Sequence, residues 1–125
     1  MARGIYISAM TPGSGKSLVT LGLADMLLRH ADRVGFFRPI IEGAEPARDP
    51  MVRLMQRKFN LTAETSRGGL TRRELRSLLV AGERGEVDSR CLAIYNEVAA
   101  HCDVVIIEGT DLSGHDVALE FDLNA

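Results

Sequence analysis

The sequence predicts an α/β fold, a doubly wound parallel sheet with flanking helices, built around a P-loop-type phosphate-binding loop. Three observations carry this. A short apolar run, Gly4-Ile5-Tyr6-Ile7, leads through a glycine-containing loop into Gly15-Lys16-Ser17 and an apolar segment, Leu18 to Leu28. A second apolar run, Val34-Gly35-Phe36-Phe37, follows within the span of one strand–helix–strand crossover, which is right-handed in nearly all folds. A third run, Val104-Val105-Ile106-Ile107, places four β-branched residues in succession, the mark of a strand buried on both faces in a parallel sheet.

Taken in order, Ile5 to Ser8 reads as a buried strand. The first helix runs from about Lys16 to Arg29, with Leu18, Val19, Leu23, Met26 and Leu27 as the stripe expected against the sheet. The second strand, Val34 to Arg38, is expected to stop at Pro39, which cannot donate a ladder hydrogen bond. Pro39 to Arg48 reads as an irregular loop. Asp49-Pro50 opens another helix to about Phe59, because aspartate suits the N-cap and proline the first helical position. Leu61 to Gly69 is polar and ends in glycine, so it reads as a mobile loop. Thr71-Arg72-Arg73-Glu74 is a capping box ahead of Leu75, Leu78 and Leu79. After the break at Gly82 to Gly85, Val87 to Ala100 reads as a helix with Leu92, Tyr95, Val98 and Ala99 facing inward. Asp103 to Gly109 is the clearest strand. Three strands are few for such a sheet, which usually has about five or six. Residues 1–125 therefore read as one domain's N-terminal portion, cut before its last strands.

Composition excludes several classes. The 125 residues carry 46% hydrophobic and 26% charged side chains and a net charge of -2, which is an ordinary globular balance with no basic surface for nucleic acid. No apolar run approaches the roughly 20 residues that span a bilayer. With no leader ahead of the first strand, the expected compartment is the cytoplasm. Cys91 and Cys102 match no metal spacing or disulfide framework and read as reduced, partly buried thiols.

Ligands of doubly wound sheets bind at the carboxyl ends of the strands. The first end delivers Gly13, Ser14, Gly15, Lys16 and Ser17. The glycines let backbone N–H groups turn inward as an anion nest, the helix N-terminus adds positive potential, Lys16 reaches outer phosphates and the Ser17 hydroxyl suits Mg2+. The leading glycine of the strict motif is absent, and Met10 stands in its place. The second end delivers Arg38 and Glu42, with Arg38 either contacting a phosphate or carboxylate or simply solvated. The third delivers Glu108, Gly109, Thr110 and Asp111. Glu108 ends an apolar strand where an acid can hold Mg2+, and Thr110 joins the nucleotide-contacting set. Asp103, roughly 16 Å away at the other end of that strand, is not a ligand. Asp49 is either a cap alone or a cap that also faces a metal. His115 is a lone loop histidine, and no Ser/His/Asp or Cys/His catalytic set is recognisable.

The segments Phe37-Arg38-Pro39-Ile40, Glu108-Gly109-Thr110-Asp111 and Glu120-Phe121-Asp122-Leu123-Asn124-Ala125, joined to the Gly15-Lys16-Ser17 loop, resemble the N-terminal domain of long-form phosphate acetyltransferase over essentially the whole chain. That domain is similar in turn to dethiobiotin synthetase. The resemblance implies a regulatory segment that binds ATP or another nucleotide, or a metabolite, with Mg2+, and that lacks the C-terminal catalytic domain, its expected partner. Homo-oligomerisation is expected on the same ground. Carried over by position from the synthetase, Ser17, Asp49 and Glu108 would be the Mg2+ ligands and Lys16 the phosphate clamp. Two other readings stand beside it: an ATP- and Mg-dependent carboxylate-activating ligase, and a structural module with a degenerate loop. The synthetase's lysine after the second strand is replaced by Arg38, and its glycine-rich segment after the acid becomes Thr110-Asp111-Leu112. Both changes tell against the ligase's substrate chemistry.

Overall fold

The computed structural model describes residues 3–7, 16–30, 33–41 and 43–109, with residues 16 and 17 as helix backbone. Within them the elements run β1 (Arg3–Ile7), α1 (Lys16–Leu28), β2 (Val34–Ile41), a 3-10 turn (Pro46–Arg48), α2 (Pro50–Phe59), β3 (Ser66–Thr71), α3 (Arg72–Val80), α4 (Arg84–Ala99) and β4 (Val104–Glu108). The described strands form one sheet in the order β1-β4-β2-β3, and every pairing is parallel. Only crossover connections can join such strands, which is why helices alternate with them. The expected α/β class, with helices on both faces of a parallel sheet, is what the chain adopts.

Alternation along the strands divides the core in two. Val34 and Phe36 of β2 and Ile106 of β4 pack with Ala24 of α1 and with Met51, Val52 and Met55 of α2. Phe37 and Val105 point the other way, to Leu75 of α3 and Val87, Cys91 and Val98 of α4. The period of two along each strand thus places α1 and α2 on one face and α3 and α4 on the other. β4 pairs with both β1 and β2, so its unbroken β-branched run lies inside the sheet, as expected.

Several expectations need correction. Ser66–Thr71, read as the end of a mobile loop, is strand β3, paired with β2 from Phe36↔Ser66 to Ile41↔Thr71. Its composition, Ser-Arg-Gly-Gly-Leu-Thr, carries no strand signal because the pair Gly68-Gly69 is selected for space. A Cβ on Gly69 would overlap the Pro39 carbonyl, and one on Gly68 would come within 2.6 Å of Ile41. Ser66 is held to α2 by its hydroxyl, which donates to the Val52 carbonyl at 2.9 Å, and by Gln56 Nε2, which donates to the Ser66 carbonyl at 3.1 Å. β2 does not stop at Pro39 but continues to Ile41. Its pairing with β4 ends at Phe37, so beyond that point β2 has an unpaired flank, where proline is tolerated.

The faces of two helices also differ. Leu18, Val19 and Met26 are more than half exposed, and α1 instead buries Thr20 and Ala24. Small side chains there let the helix lie close to the sheet, and a segment apolar on every side gives periodicity nothing to choose by. On α4 the buried positions are Val87, Cys91 and Val98, whereas Leu92 is half exposed. Tyr95 and Ala99 pack partly buried against the core as expected. The caps form as read. Asp49 accepts from the backbone N–H groups of Met51 and Val52, and Thr71 and Glu74 complete a reciprocal capping box at 3.0 and 3.1 Å. α4 starts earlier than expected, at Arg84, directly after Gly82 turns the chain with φ of +75°.

Both cysteines are free and buried. Burial pushes the Cys102 thiol up, opposed by the nearby Arg33 charge. Two outcomes follow. Gly69→Ala should lower stability by about 1–3 kcal/mol, as overpacking against fixed backbone does, seen as a reduced urea midpoint with an unchanged slope. A thiol whose folded value is raised stabilises fully below its unfolded value, about 8.5, and less as pH climbs through the folded one. Stability should therefore fall as pH rises above about 8.5, and Cys102→Ala should flatten that fall.

Candidate functional site

At the carboxyl edge of the sheet, on the α1/α2 face, three buried charged side chains meet. Glu108 is the last residue of β4, and its side chain is 1% exposed. Arg38 lies on β2 one step beyond the Phe37↔Ile107 pair, so the register itself sets it opposite Glu108. Asp49 comes from the connection after β2 and caps α2, with its side chain fully buried. The Arg38 guanidinium lies between the two acids. Its Nη1 donates to Asp49 Oδ1 at 2.9 Å and to Oδ2 at 3.3 Å, and its Nε stands 3.6 Å from Glu108 Oε1. With an Arg38 side chain only 11% exposed, these contacts are screened far less than surface ion pairs.

A fourth residue, Thr20 of α1, completes the set by donating its hydroxyl to Glu108 Oε2 at 2.7 Å. This bond ties the helix that follows the Gly-Lys-Ser segment to the strand that ends in the acid. Lys16 opens that helix four positions earlier, so its backbone lies one turn N-terminal to Thr20 on the same helix face. From the other side, β1 ends at Ile7, paired with Glu108, and the Gly109 N–H donates to the Ile7 carbonyl at 2.8 Å. The chain thus leaves β1 beside Glu108 and re-enters as α1 above it. Sequence reasoning missed Thr20. A hydroxyl spaced one turn from Lys16 in an otherwise apolar helix was the available signal.

The expected site residues fall into three groups. Arg38, Asp49 and Glu108 are brought together. Lys16 and Ser17 open α1, with their side chains outside the described ones. Gly13, Ser14, Gly15 and Thr110, together with Glu42, Asp111 and His115, lie outside the described residues. Asp103 sits at the opposite edge, where it accepts from the backbone N–H and the guanidinium of Arg33 at 3.2 and 3.3 Å.

The resemblance implies that Asp49 and Glu108, together with Ser17, hold Mg2+, which demands about six oxygen ligands at roughly 2.0–2.1 Å; of these three side chains the two acids are described. As the two acids are arranged, they do not fit it. Asp49 Oδ2 receives N–H groups from Met51, Val52 and Arg38, and Oδ1 receives Arg38 again. Glu108 divides its oxygens between Thr20 and the side facing Arg38. N–H groups thus occupy both oxygens of Asp49, while Glu108 Oε1 faces the guanidinium across a 3.6 Å ion pair that is too long for a hydrogen bond. No group of three or more His, Cys, Asp or Glu that could hold a metal occurs among the described residues.

A separate open cleft of about 540 Å³ lies where β2 and β3 end, lined by Gly43, Ala44, Thr71, Arg72, Arg73, Arg76 and Ser77. Its three arginines make it cationic. Among the described residues no helix is long and apolar enough to cross a membrane.

Comparison with protein families matches residues 3–125 to AAA_26, described as an AAA domain. Among curated proteins, the chain is 38% identical over 127 residues to a phosphate acetyltransferase of Nitratidesulfovibrio vulgaris, covering all of this chain and 18% of that protein. It is 37% identical over 126 residues to one of Synechocystis, covering 99% and 18%. It is 32% identical over 114 residues to one of Deinococcus radiodurans, covering 90% and 16%. The chain thus spans less than a fifth of the length of these relatives. No solved structure gives a significant match.

Removing Arg38 should deprive the buried Asp49 and Glu108 carboxylates of the cation they share. Breaking a buried pair in this way costs about 3–5 kcal/mol, so Arg38→Met should show a sharply reduced urea midpoint at neutral pH. Adding Glu108→Gln to it should recover part of the loss, a coupling read from the double-mutant cycle.

Proposed function

The chain belongs to the AAA_26 family of AAA domains, and on that premise we propose that it is a nucleotide- or metabolite-sensing regulatory domain of a phosphate acetyltransferase. The acetyl transfer itself, acetyl-CoA plus phosphate to acetyl phosphate plus CoA, then belongs to another part of a longer protein. In this reading the loop of Gly13, Ser14 and Gly15 cradles the phosphates of ATP or another nucleotide. Lys16 clamps them, and Ser17 and Thr110 add hydroxyl contacts. Binding is passed to a catalytic domain and to neighbouring copies in a cytoplasmic homo-oligomer.

The observation that carries the reading is the Thr20–Glu108 bond at 2.7 Å. It locks the helix opened by Lys16 onto the carboxyl edge of the sheet, where open α/β folds bind their ligands. A helix N-terminus fixed at that edge offers an anion its unpaired N–H groups. Sequence identity above 35% with two phosphate acetyltransferases across nearly the whole chain supports that choice of parent activity. The arginine-lined cleft at the ends of β2 and β3 agrees with an anionic effector.

Calorimetry of the full-length protein with ATP should show saturable heat. Lys16→Ala should weaken the affinity tenfold or more, since a hydrogen bond to a charged group is worth about 1.5–3 kcal/mol. Unchanged affinity would remove Lys16 from the site. No heat at millimolar nucleotide would end the nucleotide form of the proposal, and steady release of phosphate from ATP with a carboxylate substrate would replace it with a ligase.

A further inference from the structure

We propose that Arg38 is the resident cation of this site: its guanidinium fills the place between Asp49 and Glu108 that the family resemblance assigns to Mg2+, so the acid pair takes up no divalent ion. The position is set by the backbone. Continuing the β2–β4 register past Phe37↔Ile107 puts Arg38 opposite Glu108 on the same face of the sheet. The connection after β2 then returns Asp49 to the other side of the guanidinium, at 2.9 Å.

The chemistry of the three groups agrees. Two carboxylates buried this deeply need a cation at close range. A planar, forked guanidinium meets two acids at once, where a lysine ammonium would act as a single point charge. A metal entering between the acids would stand beside that fixed positive charge and would have to expel it. It would also compete for Asp49 Oδ2, which holds the first N–H groups of α2 through Met51 and Val52. Arg38 is therefore a positioning residue. It keeps Glu108 and the α2 N-terminus in register at the carboxyl edge and makes their order independent of metal.

The test is Mn2+ binding to the full-length protein, followed by electron paramagnetic resonance without nucleotide, so that a failure of the phosphate-loop reading leaves its outcome intact. Wild type and Glu108→Gln should bind Mn2+ alike, within twofold. Arg38→Gln should gain one site, which Arg38→Gln with Glu108→Gln loses again. A wild-type site whose affinity drops tenfold in Glu108→Gln overturns the proposal, and so does a folded Arg38→Gln that gains no site. If near-UV circular dichroism shows Arg38→Gln unfolded, the comparison of wild type with Glu108→Gln decides alone.

Discussion

Much of this molecule depends on the Arg38 guanidinium held between two buried carboxylates. A buried ion pair adds little net stability, because the desolvation of its members offsets their attraction, but removing one member is costly. The arrangement therefore acts less as a source of stability than as a constraint on geometry. Asp49 cannot leave Arg38 without uncapping α2. Glu108 cannot leave without breaking from Thr20 and so from α1. Two strands, β2 and β4, and two helices, α1 and α2, are thereby tied to one point at one edge of the sheet.

The sheet makes that convergence cheap in entropy. Parallel pairing fixes where β2 and β4 end relative to one another, so Arg38 and Glu108 meet without any loop being ordered to bring them together. Asp49 is the one member that arrives through a connection, and its capping bonds to Met51 and Val52 fix it in turn. β3 contributes from further away. Gly69 packs its backbone on Pro39, directly after Arg38, and the sheet narrows there to the pairing of β2 with β3. A side chain is absent at Gly69 because the Pro39 backbone takes that space, and at Gly68 because the Ile41 side chain and Pro46 do.

These facts explain which parts of the fold were legible in the sequence. β4 was, because Val104 to Ile107 can only be satisfied by burial on both faces. The starts of α2 and α3 were, because capping by Asp49 and by Thr71 with Glu74 is a local matter of spacing. β3 was not: its glycines answer to contacts with Pro39 and Ile41, residues distant in sequence, and read locally they signal a loop. The continuation of β2 through Pro39 was hidden for the same reason, since proline is excluded only where a partner strand needs its N–H. The face of α1 was illegible because leucine, valine and methionine occur all round it, and burial went to Thr20 and Ala24. Arg38 and Glu108 were singled out at strand ends and Asp49 as a helix cap, but sequence spacing carries no sign of which of them would pair with which. The pairing of Arg38 with both acids follows from register, which one sequence does not display.

The same arrangement bears on what the loop ahead of α1 can do. Hydrolysis and transfer of phosphoryl groups rely on cations that neutralise charge developing on the transferred group. In that chemistry an acid at the end of a neighbouring strand holds such a cation against the nucleotide, the place that Glu108 has at the end of β4. Here that acid faces Arg38 and accepts from Thr20, so it is engaged in holding the fold. Phosphate binding needs less: backbone N–H groups, a helix N-terminus and one lysine. If the loop binds phosphate as proposed, an acid pair that faces an arginine suits it to occupancy without turnover. Under the proposed reading, occupancy would act on α1 through its N-terminus, and the Thr20–Glu108 bond would carry that effect to the centre of the sheet.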